Sequence, residues 1–158
     1  MNSKGRARQQ TSLVMVVLFS TGVIAALITT TTCAQKVGDR IVVTANFDTK
    51  IRSQKVGKVY GGSIHNISYI QGKWCMLEGV RGWCPLQYTM NLNGAKKVYE
   101  KRIRSNKNDF DALSTLAMVE FEQGNSNRAL QLLTSALRIN NRVANLWNNR
   151  GIVFSSAG

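Results

Sequence analysis

Apolar residues recur at helical spacing through the last third of the chain. Ala95, Val98, Tyr99 and Ile103 fall at i, i+3, i+4 and i+8, the stripe of an amphipathic helix. Similar stripes predict helices over residues 93–106, 111–123, 127–139 and 144–156. Asp109 or Asp111 stands where the second helix needs a cap, and Asn125 or Ser126 where the third does, to accept hydrogen bonds from free backbone amides. The pattern also repeats. Leu113 and Trp147, Ala117 and Gly151, Ala95 and Ala129, Tyr99 and Leu133, Ile103 and Leu137, and Gly124 and Gly158 all lie 34 residues apart. That period marks stacked two-helix units. Each unit leaves an apolar face for a neighbour to cover, and stacking creates a concave surface that binds other macromolecules. The fourth helix ends in Ile152-Val153-Phe154 with no partner helix after it, so the repeats are expected to be the beginning of a longer array.

The preceding segment changes period. Ile41-Val42-Val43-Thr44, Val56 to Tyr60, Ser63 to Ile70, Trp74 to Leu77 and Gly82 to Cys84 are short β-branched or alternating runs, which predict strands. Gly57, Gly61-Gly62, Gly72 and Gly79 punctuate them, and Pro85 follows the last. Five short strands in such a length predict a small barrel that closes on itself and hides its edges.

Two families are suggested by these residues. Ala144 to Phe154, containing Leu146, Trp147, Gly151 and Ile152, with Gly158 at the turn, resembles the first helix of a tetratricopeptide repeat. Phe110 to Val143 resembles a complete copy, with Leu113, Leu116, Ala117, Gly124, Ala129, Leu133 and Ala136 in its apolar and small slots. Glu120 and Arg150 stand in slots which that family fills with bulky apolar groups. Ile51-Arg52-Ser53 before Val56-Gly57, then Gly72 to Leu77, then Gly82-Trp83-Cys84-Pro85-Leu86-Gln87-Tyr88, resembles a bacterial Src-homology-3-like domain. The expected fold class is therefore α+β and multi-domain. A signal peptide or membrane anchor occupies 1–34, a small all-β Src-homology-3-like barrel 35–92, and an incomplete α-helical tetratricopeptide repeat array 93–158. The resemblances imply that Met118, Glu122, Asn145, Asn148, Asn149 and Ile152 face the groove of the array, the asparagines offering amides to a peptide backbone. They also imply that Trp74 and Tyr88 sit on a binding surface of the barrel, with core filling as the other role for both aromatics.

Charge and the first residues bear on location. Lys4, Arg6 and Arg8 precede an uncharged run from Leu13 to Ile28, and small residues follow to Cys33-Ala34. A basic start, an apolar middle and a small-residue exit describe a secretory signal. As a helix the run is about 24 Å long, short of a hydrocarbon core of about 30 Å. Cleavage after Ala34, an uncleaved anchor and lipidation of Cys33 are the three outcomes. The chain is expected outside the cytoplasm, whether secreted, periplasmic or membrane-anchored. Lys and Arg outnumber Asp and Glu by 21 to 8, giving +13, while 44% of residues are hydrophobic and 18% charged. Such an excess attracts anionic polymers or surfaces. Lys96, Lys97, Lys101, Arg102, Arg104 and Lys107 crowd the first predicted helix, either as a solvated face or as an anion-binding stripe.

Candidate chemistry is sparse. Nucleophilic catalysis needs a nucleophile, a base and an orienting group held together, and local sequence ties no Ser or Cys to the single histidine, His65. Cys75, Cys84 and His65 match no paired metal-ligand spacing. No catalytic residue, metal or cofactor is assigned. A hairpin turning at Gly79-Val80 would set Cys75 opposite Cys84, with Cys75 and Leu77 facing away from Trp74, whereas a turn centred on Glu78-Gly79 would pair Trp74 with Trp83 and pull the sulfurs out of register. In an exported protein this pair is either a disulfide or two buried thiols. The sequence thus predicts a non-enzymatic scaffold that docks a protein or peptide partner, with a cell-wall polymer or anionic envelope surface as a further partner and no nucleic acid. The alternative is a wall-targeting module of an enzyme whose catalytic part follows Gly158.

Overall fold

Ile41, Val42 and Val43 are all fully buried, although side chains on a strand alternate between faces. A strand buried on both faces needs a layer on each side, and this one lies between a sheet core and a set of helices. The computed structural model of the protein describes residues 35–157, so the expected signal or anchor at 1–34 falls outside the described residues. Strands β1 (Arg40–Val43), β2 (Phe47–Ile51), β3 (Gln54–Val59), β4 (Ile64–Gln71), β5 (Trp74–Leu77), β6 (Cys84–Pro85) and β7 (Thr89–Asn91) precede helices α1 (Leu92–Ser105), α2 (Phe110–Glu122), α3 (Ser126–Ile139) and α4 (Ala144–Ala157). Among the described residues no helix is long and apolar enough to cross a membrane.

The strands do not close into a barrel. Five form an antiparallel sheet in the order β6-β5-β4-β1-β7, and β2 and β3 form a separate hairpin, joined to the sheet region through a bridge between Lys50 and Trp83. Nor are sheet and helices separate domains. Ile41 and Val43 pack with Val59, Ile67, Cys75, Leu77 and Cys84 on one face of the sheet. Val42 belongs instead to the helical core, beside Ala95, Tyr99, Leu116 and Leu133, with Ile64 and Met90 packed against it. The multi-domain fold of a barrel followed by a repeat array is thereby corrected to one compact unit of sheet and four helices. The uninterrupted apolar triplet at 41–43 carried the signal, since one-sided strands alternate and two-sided ones do not.

Local chemistry explains where the helices begin and end. Asn91 caps α1 by accepting from Gly94 N at 2.7 Å, and Asp109 caps α2 by accepting from Ala112 N at 2.9 Å. Gly124 ends α2 at φ +84°, a left-handed conformation that glycine adopts without strain. The third cap differs from the expectation. Asn125 precedes α3 but makes no side-chain cap bond; its amide donates to Glu120 Oε2 at 2.8 Å. Lys96 Nζ reaches the other carboxylate oxygen at 2.8 Å. These two bonds explain why a carboxylate occupies an apolar slot of α2 while only 5% exposed.

Helices α3 and α4 begin 34 residues after α1 and α2 respectively, yet the matched residues differ in burial. Ala95 and Ala129, and Tyr99 and Leu133, are buried at both positions, whereas Leu113 and Ala117 are buried and Trp147 is 52% exposed. Val98, read as part of the apolar face of α1, is 43% exposed; α1 turns Ala95 and Tyr99 inward and leaves Val98 at the edge.

Because Val42 couples the layers, Val42→Ala should lower stability by roughly 2 kcal/mol, from lost methyl burial and an incompletely filled cavity. Helical circular dichroism and tryptophan fluorescence should still report one coincident transition; two separated transitions would restore independent domains. Burial raises the Glu120 pKa, but the bonds from Lys96 and Asn125 outweigh it and hold it below the usual carboxylate range. A depressed folded pKa means stability present above the unfolded value of about 4.3 and lost as pH falls through the folded one. Glu120→Gln should flatten that acid limb in denaturation curves recorded against pH.

Candidate functional site

The loop between β3 and β4 approaches α2 closely enough that only glycine fits at its tip. Gly62 has φ +87°, and a Cβ there would stand 2.6 Å from Thr115 Oγ1. Backbone bonds hold the loop: Gly62 N donates to Val43 O at 2.7 Å, and Gly61 N to Asn46 Oδ1 at 2.7 Å. Between this loop, α2 and the first turns of α4 lies an open cleft of about 730 Å³. Tyr60 stands on its rim, 60% exposed, with Lys58 Nζ 5.2 Å from the ring centroid.

Four residues expected in the groove meet here. Met118 and Glu122 from α2 and Asn145 and Asn149 from α4 line the cleft, whereas Asn148 and Ile152 do not. Their exposed positions lie elsewhere on α4, whose inward stripe is Leu146 and Val153. Asn149 Nδ2 donates to Ser114 Oγ at 3.3 Å, and its side-chain carbonyl accepts no hydrogen bond among the described residues. Glu122 is engaged by Arg40, whose Nε and Nη2 donate to its two carboxylate oxygens. This fork joins β1 to α2, and Arg40 Nη1 continues it to Asn66 Oδ1 at 3.1 Å. Arg102 is likewise occupied, donating twice to Asp109. Asp111 is the carboxylate of the lining that makes no ion pair among the described residues.

Sequence reasoning missed Tyr60, Asn46 and Ser63, because the strand-to-strand loop and the helices come together only in the folded chain. It also tied no serine to His65. The structure places Ser63 Oγ 3.1 Å from His65 Nε2. The serine hydroxyl donates to Tyr60 O at 2.7 Å, so its proton is used by the turn. Burial lowers the His65 pKa, partly opposed by a hydrogen bond with the Glu78 backbone, and Arg40 lowers it further. No carboxylate orients the ring among the hydrogen bonds of the described residues, so the pair lacks the third member of a charge-stabilised triad.

The two aromatics expected on one surface are apart. Trp74 is 49% exposed in a second, smaller cleft with Trp83. Tyr88 instead stacks on Phe47, centroids 5.6 Å apart. Cys75 pairs with Cys84 in the β5–β6 ladder, and both are buried free thiols. Burial pushes the Cys75 thiol up to about 11 and, with Cys75 beside it, the Cys84 thiol up to about 12. No protein-family model matches the chain, and no curated protein sequence matches it.

Gly62→Ala should cost about 2–3 kcal/mol, combining left-handed strain with the contact on Thr115. Thr115→Ala in the same chain should recover the contact part and leave about 1 kcal/mol of backbone strain, a coupling that a double-mutant cycle measures. Both cysteines should resist alkylation at pH 8 in the folded chain and react on unfolding, because the thiolate is the reactive form. Mass spectrometry of alkylated native and unfolded samples reads this out, and a bridged pair would stay unmodified in both until reduced.

Proposed function

We infer that the protein is a non-enzymatic binding module that holds an extended peptide segment of a partner in the cleft between the β3–β4 loop and helices α2 and α4. The observation that carries this reading is the convergence of the Asn46, Asn145 and Asn149 side chains with Tyr60 and Met118 around one open cleft. An asparagine amide presents a donor and an acceptor together, which suits a peptide backbone; Asn145 has both unengaged among the described residues, whereas Asn46 already accepts from Gly61 N and Asn149 already donates to Ser114 Oγ. Tyr60 supplies rigid contact area, and Met118 an adaptable apolar wall. With Glu122 and Arg102 already paired, Asp111 gives the lining an unneutralised negative charge, favouring a basic side chain in the bound segment. The basic, apolar and small-residue order of residues 4–34 supports work outside the cytoplasm.

Selection from a displayed random-peptide library on the full-length chain tests the reading. Enriched peptides should bind about tenfold more weakly to Asn145→Ala and to Tyr60→Ala, the loss expected of one hydrogen bond or one aromatic contact. Asp111→Asn should remove the preference for a basic residue. An unenriched library, or peptides that bind these variants as well as the parent, would overturn the site. Labelling of Ser63 by a fluorophosphonate would overturn the non-enzymatic reading.

A further inference from the structure

At the far end of the sheet, the β2–β3 hairpin and the β5–β6 pair enclose a cleft of about 390 Å³ lined by Lys50, Arg52, Ser53, Gln71, Trp74 and Trp83. The cleft is built by close approach. Gly82 has φ +97°, and a Cβ there would stand 2.7 Å from Val56 Cγ2 and 3.0 Å from Thr49 Cβ. That approach lets Trp83 N donate to Lys50 O at 3.1 Å. Trp74 pairs with Pro85 across the ladder, so Trp83, two residues earlier, stands diagonally across from Trp74 on the same face. Tyr69 meets the Trp83 ring edge-on at 5.9 Å, while Trp74 stays 49% exposed.

Lys50 lies opposite Lys55 in the ladder, an arrangement of like charges that destabilises a sheet. Lys55 is taken by Asp48 at 2.9 Å, and neither Lys50 nor Arg52 makes an ion pair among the described residues. No carboxylate lines the cleft. Arg52 and Ser53, at φ +47° and +70°, are the two central residues of the β2–β3 hairpin, where Ile51 pairs with Gln54; both take the left-handed conformation that such a tight turn requires, and the turn carries the Arg52 side chain at the cleft.

We propose that this cleft is a second binding site, for an anionic sugar unit of a glycan, with the sugar ring against Trp74 and its carboxylate or phosphate held by Lys50 and Arg52. The electron-rich face of an indole attracts the polarised C–H groups of a sugar as it does other positive edges. Arg52 supplies a planar fork for the acid group, and Lys50 a second cation. Gln71 and Ser53 both donate and accept hydrogen bonds, as sugar hydroxyls do. A single-stranded nucleic acid needs a cationic track with successive stacking platforms, whereas this cleft is compact, and one of its two indoles is already edged by Tyr69. The proposal is independent of the peptide cleft, with which it shares no lining residue.

Calorimetric titration of the full-length chain with hexagalacturonate, maltohexaose and an oligothymidylate octamer tests it. Hexagalacturonate should bind saturably, with affinity that falls as salt is raised and exceeds that for neutral maltohexaose by about tenfold, the worth of one charge-assisted hydrogen bond. Lys50→Gln, Arg52→Gln and Trp74→Ala should each weaken it by a similar factor, while a peptide bound in the first cleft keeps its affinity. Lys50 and Arg52 are exposed, so their variants keep the test open if Trp74→Ala does not fold. Equal affinity for both hexasaccharides, binding of neither, tighter binding of the oligothymidylate, or variants that bind like the parent would each overturn the proposal.

Discussion

The burial of β1 on both faces is the constraint on which the rest depends. Three β-branched residues in succession, Ile41, Val42 and Val43, leave no side of the strand for water. Ile41 and Val43 require the small sheet core, and Val42 requires the helices. With β4 paired on one edge and β7 on the other, β1 has its backbone groups satisfied as well as its side chains. A strand so enclosed can exist only where sheet and helices fold as one body, which is why the helices pack on the sheet instead of standing beside it as a free array.

That docking also creates the main cleft. Once Val42 holds the sheet against the helices, the β3–β4 loop passes over α2 at Gly62 and Thr115, and the space between this loop and α4 becomes a groove with walls from both layers. The Arg40–Glu122 fork spans the same junction. A bidentate guanidinium–carboxylate pair fixes orientation better than a single charge contact, and here it ties β1 to the last turn of α2. The cleft side-chain groups that structural pairing leaves over include the amide of Asn145, the side-chain carbonyl of Asn149, the ring of Tyr60 and the carboxylate of Asp111.

Charge is distributed with similar economy. Lys96, Arg102 and Arg104, half of the six basic residues in the run from Lys96 to Lys107, have carboxylate partners. Lys96 neutralises the buried Glu120, so part of what reads as a basic stripe is internal structure. At the opposite end of the sheet, Lys50 and Arg52 remain unpaired beside two indoles. The excess of positive charge is therefore available for binding mainly where no carboxylate has been placed to absorb it.

The periodicity of residues 95–154 determined four helices, because a stripe at 3.6-residue spacing reports burial of one face whatever it is buried against. Asp109 was legible as a cap for the same local reason. Strands β1, β3, β4 and β5 could be read from β-branched runs and glycine punctuation, whereas the sequence left two turns open between Cys75 and Cys84 and the pairing itself decided their opposition. Strands β2 and β7 could not, since Phe47–Ile51 and Thr89–Asn91 carry polar residues whose pairing depends on distant partners. Of the six residues expected to face a groove, Met118, Glu122, Asn145 and Asn149 line one cleft, but Asn148 and Ile152 turn out of it, because the rotation of α4 is set by Leu146 and Val153 entering the shared core. Tyr60, Asn46 and the separation of Trp74 from Tyr88 were decided by tertiary structure alone. Local pattern specifies which face of an element is apolar, whereas the identity of the surface that covers it depends on contacts between residues far apart in the chain.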